Sequence, residues 1–85
     1  MFVFMYAVVD VETTGGQFSF DRITEIAIYV FDGNKIIQEF ETLVNPERKI
    51  DPYVTKLTGI TDAMVKHSPT FKDIADQVFE LFENN

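Results

Sequence analysis

The chain of 85 residues contains no cysteine. This absence excludes disulfide bonds, thiolate metal sites and a cysteine nucleophile, and it suits a reducing compartment. The apolar run at residues 2–9 is too short to span a membrane, since a spanning helix needs about 20 residues, and it lacks the basic segment of a signal peptide. We therefore expect a cytoplasmic protein with no membrane partner.

Positive charge is also scarce: the chain has seven lysines and arginines and fourteen acidic residues, which gives a net charge of −7. Such a chain repels a phosphate backbone overall, so any contact with nucleic acid has to be local. Most of the cations lie between residues 48 and 72. They form either a basic strip or an ordinary solvated surface, and the pattern alone favours the solvated surface. The cations concerned are Arg48, Lys49, Lys56, Lys66 and Lys72.

The length allows one small domain, which buries only about 60–65% of its unfolded surface. Two runs at residues 2–9 and 26–31 are apolar almost throughout, as is typical of strands covered on both faces. Only one long helix is available to cover them, so we interpret residues 1–85 as the N-terminal segment of a larger single domain. Met5 leaves open a natural start there, with residues 1–4 as a leader.

The order of elements predicts an α/β fold in which three strands precede the helices. We expect strands at about residues 3–11, 23–31 and 35–44, the last at a sheet edge. The Asp32-Gly33-Asn34 turn joins the second and third strands as a hairpin. One helical turn is expected at 54–57 and a short helix at 61–66. Thr70 caps a longer helix with Asp73 three residues on, in which apolar residues recur at helical spacing: Phe71, Ile74, Ala75, Val78 and Phe82.

Asp10 and Glu12 are the residues most indicative of chemistry. They stand at the end of an apolar strand, where side chains alternate between the two faces, so both carboxylates point to one side while Val11 points to the other. Carboxylate oxygens are ligands that hard divalent cations prefer. The pair therefore predicts a metal site.

The segment Asp10-Val-Glu12-Thr13-Thr14-Gly15 closely resembles the first motif of the DEDD 3′-to-5′ exonucleases, especially the proofreading epsilon subunit of bacterial DNA polymerase III. The resemblance continues in family order through residues 22–28, Val44-Asn45-Pro46, 57–61 and 68–71. It covers essentially all of residues 6–82, and the ordered combination is more specific than the acidic pair alone.

The resemblance implies a ribonuclease H-like exonuclease fold, of which this chain is the N-terminal part with three antiparallel strands followed by helices. In that family four carboxylates hold two Mg²⁺ or Mn²⁺ ions, and Asp10 and Glu12 match the first two as catalytic and metal-binding residues. The other two acids and a histidine base lie farther along. Two carboxylates supply only part of two cation shells, so we predict that residues 1–85 alone are inactive or nearly so.

The resemblance also implies contacts with the terminal nucleotide from Val11 and Thr13 and from the loop Leu57, Thr58, Gly59 and Ile60. Leu57, Gly59 and Ile60 are equally consistent with a core role. Thr14 is expected to be structural. Glu25 is interpreted as a structural acid partnered by Arg22 or a backbone donor, rather than as a third ligand. His67 is expected at the surface and not in catalysis.

The leading hypothesis is thus a metal-dependent 3′-to-5′ exonuclease segment that acts on DNA in proofreading or repair, with a single-stranded 3′ end as substrate and a DNA polymerase as a potential partner. Two alternatives stay open. One is a non-catalytic module that assembles into a homo-oligomer through an exposed sheet edge. The other is an oligoribonuclease-like enzyme acting on RNA.

Overall fold

The structure is a computed structural model that describes residues 6–15 and 22–83. Three strands precede three helices: β1 (Tyr6–Thr13), β2 (Ile23–Phe31), β3 (Ile36–Leu43), α1 (Pro52–Thr58), α2 (Asp62–Val65) and α3 (Phe71–Glu83). The expected strand start at residue 3, the leader at 1–4 and most of the loop after Gly15 fall outside the described residues. Among the helices described, none has the length and apolar character needed to cross a bilayer.

The strands form one antiparallel sheet in the order β1-β2-β3. β3 is an edge strand of the sheet that the described residues form, as predicted. The predicted hairpin is confirmed between β2 and β3: the Asp32 carboxylate accepts hydrogen bonds from the backbone N–H groups of Asn34 (2.9 Å) and Lys35 (3.0 Å). These bonds hold the pKa of the Asp32 carboxyl below its usual range, and the bond from Asn34 has the largest effect. Gly33 supplies the positive φ of 102° that the turn requires.

β1 ends two residues later than the sequence predicted. The expected boundary at residue 11 is wrong, because pairing with β2 continues to Thr13, with a register shift between Glu12 and Thr13. Turn-forming threonines and glycines suggested an earlier end, but hydrogen bonding to β2 keeps the strand extended. Asp10 and Glu12 therefore lie inside the paired strand and not at its exit.

One face of the sheet packs against α3, and this face is called the helix face. Its core contains Ile26, Ile28 and Val30 from β2, Val44 after β3, and Ile74, Val78 and Leu81 from α3. Two of the apolar positions that recurred at helical spacing, Phe71 and Phe82, are exposed instead. Gln77, Glu80 and Leu81 are the residues of α3 that line the cleft beside β3, and neither phenylalanine lines it.

A second, smaller core holds α1 and α2 to the sheet. It contains Ile50, Ile60 and Val65, with Leu43 and Val54 packed against it. The predicted helical turn at 54–57 is a seven-residue helix, because Asp51 caps it and Pro52 occupies its first position. Thr61 caps α2, and the Thr70 hydroxyl and Asp73 carboxylate exchange bonds with each other's backbone N–H groups at the start of α3. These two predicted helices are confirmed.

Candidate active site

Asp10 and Glu12 lie on the face of the sheet opposite α3, called here the carboxylate face. Asp10 is opposite Ala27 and Glu12 is opposite Glu25 across the β1–β2 pair. Directly opposed residues of antiparallel strands point to the same face, so the side chains of Asp10, Glu12 and Glu25 share one side. Asp10 is exposed and Glu12 is half-buried. Both carboxylates are thus open to a ligand from solvent.

Glu25 is the immediate cross-strand neighbour of Glu12. The Cβ atoms of such opposed residues are about 4.5–5.5 Å apart, so the two carboxylates form a like-charge pair. The expected pairing with Arg22 is not observed: the Arg22 guanidinium donates to the Pro46 carbonyl at 3.4 Å, and the Glu25 side chain has no hydrogen bond or ion pair among the described residues. Within the part of the chain that the structure describes, Glu25 therefore adds negative charge beside Glu12 without a compensating cation.

We expect Glu25→Gln to raise the free energy of unfolding by about 0.2–1 kcal/mol, because it removes a like-charge pair between opposed strand positions. The gain should shrink at high ionic strength, where the repulsion is screened. Urea unfolding at low and high salt measures both effects. Glu39→Gln is the matched control, since Glu39 lies on the same face opposite Tyr29. A Glu25→Gln variant less stable than this control would show that Glu25 has a structural partner.

Thr14 connects the end of β1 to the rest of the molecule. It is only 2% exposed. Its N–H donates to the Arg22 carbonyl at 2.9 Å, its hydroxyl accepts from the Arg22 N–H at 3.1 Å, and its carbonyl accepts from the Asp51 N–H at 2.9 Å. The expected structural role is consistent with these bonds. Through Asp51, they place the start of α1 beside the end of the strand that carries Asp10 and Glu12.

Val11 and Thr13 offer little side-chain chemistry to the carboxylate face. The Val11 side chain lies on the helix face, because it is opposite Ile26. The Thr13 hydroxyl donates to the Gly15 carbonyl at 2.9 Å. Contact with a nucleotide at these two positions would therefore fall mainly to the backbone, and β1 is an edge strand of the described sheet.

The loop at residues 57–60 is divided between surface and core. Leu57 is 68% exposed, whereas Ile60 is 5% exposed and belongs to the second core. The Thr58 hydroxyl donates to the Val54 carbonyl at 3.0 Å and accepts from the Ile60 N–H at 3.1 Å. Gly59 ends α1 with φ 80°, and the space where a Cβ would stand is open. Leu57 and Gly59 can thus contact a ligand, while the Ile60 side chain packs internally.

This loop lies on the same side of the sheet as the carboxylates. Leu43 of β3 is opposite Glu25, so it shares the carboxylate face with Glu12. Leu43 packs against the core that contains Ile60. The second core therefore lies on the carboxylate face, and Leu57 is the exposed residue of the loop that leads into it. Sequence reasoning missed this link and the Thr14–Asp51 bond, because neither pairing leaves a local pattern in the sequence.

The donor chemistry of the pair fits a hard divalent cation, because both groups are carboxylates on one accessible face. Within residues 6–15 and 22–83, no group of three or more acidic or histidine side chains is disposed to hold a metal ion. Asp10 and Glu12 are thus two residues that could hold such a cation, and among the described residues they form no complete site.

A family model described as "Exonuclease" matches residues 7–85, which is nearly the whole chain and includes both carboxylates. The chain belongs to this exonuclease family. The family predicted from the sequence is therefore confirmed.

Relatives of this exonuclease chain are much longer proteins. It is 43% identical to a putative bifunctional exonuclease/endonuclease protein of Mycobacterium tuberculosis, with 89% of this chain and 13% of the relative covered. It is 37% identical to the 3′-5′ exonuclease DinG of Staphylococcus haemolyticus, with 93% and 9% covered. The chain thus spans only about a tenth of the length of these relatives.

Solved exonuclease structures confirm the fold. Exonuclease X, solved with 5′ overhanging duplex DNA, superposes with a TM-score of 0.74 at 32% identity, covering 85% of this chain and 42% of that one. A full-length 3′-exonuclease reaches a TM-score of 0.80 at 22% identity, covering 98% and 30%. The chain has the three antiparallel strands and following helices of the N-terminal part of the ribonuclease H-like exonuclease fold.

Proposed function

We propose that this chain is the N-terminal segment of a metal-dependent 3′-to-5′ exonuclease domain that hydrolyses terminal phosphodiesters of DNA and releases nucleoside monophosphates. One observation carries the proposal: Asp10 and Glu12 share an accessible sheet face in a chain that matches the exonuclease family over residues 7–85. The 3′-to-5′ direction is supported by the relatives named DinG.

Asp10 and Glu12 are the catalytic residues of the proposal and hold the cations. Two bound Mg²⁺ or Mn²⁺ ions would supply activation of a water molecule and stabilisation of charge on the departing 3′ oxygen. The carboxylates fix where these charges stand relative to the scissile phosphate, which is the positioning that such a reaction requires. Glu25 adds negative charge to the same face and so favours the accumulation of cations there.

The terminal nucleotide is proposed to lie between β1 and the loop after α1. On this view the backbone of Val11 and Thr13 contacts the sugar or phosphate, and the exposed Leu57 side chain supports the unpaired base. Gly59 allows close approach because no side chain occupies that position. Thr58 and Ile60 contribute by fixing this loop through their hydrogen bonds and packing.

We further propose that two more carboxylates and a histidine base belong to a downstream part of the same domain, and that residues 1–85 alone are inactive or nearly so. This proposal rests on the two-carboxylate site and on the 42% of the exonuclease X chain that this chain covers. A shell completed mostly by water holds cations loosely and positions a phosphate poorly.

A single-stranded 3′ end of DNA is the proposed substrate, in proofreading or repair in the cytoplasm, with a DNA polymerase as a proposed partner. Exonuclease X was solved with duplex DNA bearing 5′ overhangs and is 32% identical to this chain, which supports DNA. RNA is the alternative substrate, since another neighbour of the same fold was solved as a 3′-exonuclease recognising a histone mRNA stem-loop.

The test is Mn²⁺-dependent shortening of single-stranded DNA labelled at its 5′ or its 3′ end. The 85-residue chain should show no activity above its Asp10→Asn variant. A chimera that joins residues 1–85 to the remaining part of exonuclease X should release mononucleotides from the 3′ end. The same assay with RNA shows which of the two substrates is hydrolysed faster. A chimera with native circular dichroism but no metal-dependent activity would contradict the proposal.

A second candidate function is assembly through β1. Val8 and Val9 of this edge strand are 47% and 46% exposed, and an uncovered apolar edge can pair with another chain. In that case the chain would form a homo-oligomer through β1. Analytical ultracentrifugation separates the candidates, because a strictly monomeric folded chain would count against assembly.

A further inference from the structure

Positive charge is concentrated on one surface of this acidic chain. Five of its seven lysines and arginines border two neighbouring clefts around the segment that follows β3. The clefts have volumes of about 270 and 390 Å³ and share Asn45 and Glu47. This cationic surface consists of Arg22, Lys72, Arg48, Lys49 and Lys66.

Asn45 organises the cationic surface. Its side-chain amide donates to the Lys66 carbonyl at 3.3 Å, and its side-chain oxygen accepts from the Glu47 N–H at 2.8 Å. Its backbone N–H donates to the Pro69 carbonyl at 2.8 Å. Glu47 adopts a positive φ of 57°, which turns the chain sharply before Arg48. Residues distant in sequence are therefore held together by a bonded framework.

Within residues 6–15 and 22–83, none of the five cations has an ion-pair partner. Two acids also line the clefts, Glu47 and Asp62. The Asp62 carboxylate accepts from the Ile50 N–H at 2.9 Å, so it is already engaged by the backbone. Unpaired guanidinium and ammonium groups are the groups that bind phosphate oxygens.

The cationic surface lies at the same end of the sheet as Glu12. Glu12 is opposite Glu25, and Glu25 is opposite Leu43, so one ladder rung crosses the sheet at this end. Arg22 directly precedes β2, and residues 44–50 directly follow β3. The cleft bordered by Arg48, Lys49 and Lys66 is also lined by Val65 of the second core, which packs with Leu43 of the carboxylate face. The cleft bordered by Arg22 and Lys72 adjoins it at Asn45 and Glu47 and lies toward α3.

We propose that the cationic surface binds the phosphodiester backbone of the nucleic-acid strand, on the 5′ side of the nucleotide held at the carboxylates. This inference rests on the proposed function and extends its substrate site from the terminal nucleotide to the strand behind it. Contacts with phosphates carry affinity without reading sequence. The net charge of −7 repels nucleic acid from the rest of the chain, so these contacts confine the attraction of the strand to the cationic surface.

Fluorescence anisotropy of labelled single-stranded DNA in EDTA tests the surface without cleavage or metal. Lys49→Gln and Lys66→Gln should each weaken binding about 3–10-fold at low salt and reduce the slope of log affinity against log salt by about 1. Lys35→Gln is the matched control: it makes the same charge change at the β2–β3 turn, the opposite end of the sheet. Binding of a dinucleotide should be unaffected by all three substitutions.

Equal losses of DNA affinity in Lys35→Gln and Lys49→Gln would contradict the proposed binding surface, because affinity would then depend on net charge alone. Failure of the wild-type chain to bind DNA at low salt would contradict the proposed surface as well.

The proposed function is contradicted by a different result. If added Mn²⁺ has no effect on binding or if Asp10→Asn leaves the Mn²⁺ effect unchanged, the carboxylate site is wrong while the lysine result still establishes the surface.

Discussion

Replacing Ile28 with alanine is expected to lower the free energy of unfolding by about 2–5 kcal/mol, the usual cost of removing a large buried aliphatic side chain. Ile28 is 0% exposed, sits in the central strand and belongs to the core that joins the sheet to α3. A small domain buries a modest share of its surface, and stabilities of about 5–15 kcal/mol leave little reserve. We therefore expect a large fraction of the variant to be unfolded near 37 °C.

Urea unfolding followed by far-UV circular dichroism measures the loss. Val9→Ala is the control, because Val9 is opposite Ile28 on the same sheet face but is 46% exposed. Substitutions at exposed positions usually change stability by less than about 0.5 kcal/mol. Similar losses in both variants would mean that α3 does not form the main core of the folded chain in solution.

Asp10→Asn is expected to weaken Mn²⁺ binding by at least about 10–100-fold, since even the outer partners of metal ligands have effects of this size. The amide keeps the shape of the side chain but removes its charge and one anionic oxygen. The prediction concerns the 85-residue chain, so it is independent of any downstream residues. Electron paramagnetic resonance of free Mn²⁺ during titration gives the affinity directly.

The control for Asp10→Asn is Glu39→Gln, which removes one charge from the same face at a position opposite Tyr29. This control should retain most of the wild-type affinity, because the general field of the face falls only slightly. If both variants bind Mn²⁺ equally well, the cation is held by diffuse charge and not by Asp10. Glu12→Gln should behave as Asp10→Asn does.

The elements that were predicted well have local causes. The β2–β3 hairpin follows from Asp32-Gly33-Asn34, whose side-chain acceptor and positive φ enforce a turn whatever packs around it. The caps at Thr61 and Thr70 likewise act within three residues. Such signals can be found in a sequence because all the interacting groups are close together in it.

Elements that were predicted poorly depend on distant partners. The end of β1 at Thr13 is set by pairing with β2, and the exposure of Phe71 and Phe82 depends on which part of the sheet α3 covers. Ile60 and Leu57 are both apolar and three residues apart, yet one is core and the other surface. Local hydrophobicity cannot separate them, because the second core forms from residues 43–65.

The candidate site likewise has features that the sequence predicts and features that depend on distant partners. The period of two along a strand was enough to predict that Asp10 and Glu12 share a face. The identity of their neighbours was not predictable, because register decides that Glu25 stands opposite Glu12. The cationic surface also escaped a firm prediction. Arg22 joins it from before β2, and Lys56 lies on α1 and lines neither of its two clefts.

The sheet order β1-β2-β3 has a consequence for how the molecule is made. Every strand pairs with its neighbour in sequence, so each step closes only a short loop and the ordering entropy per step is small. Such a unit can form early, as its residues leave the ribosome, before any later strand of the proposed larger domain exists. In that case β1, the first strand synthesised, would remain at the edge of the sheet. Its unpaired backbone N–H and carbonyl groups would then be available to pair with a strand from the later part of the domain.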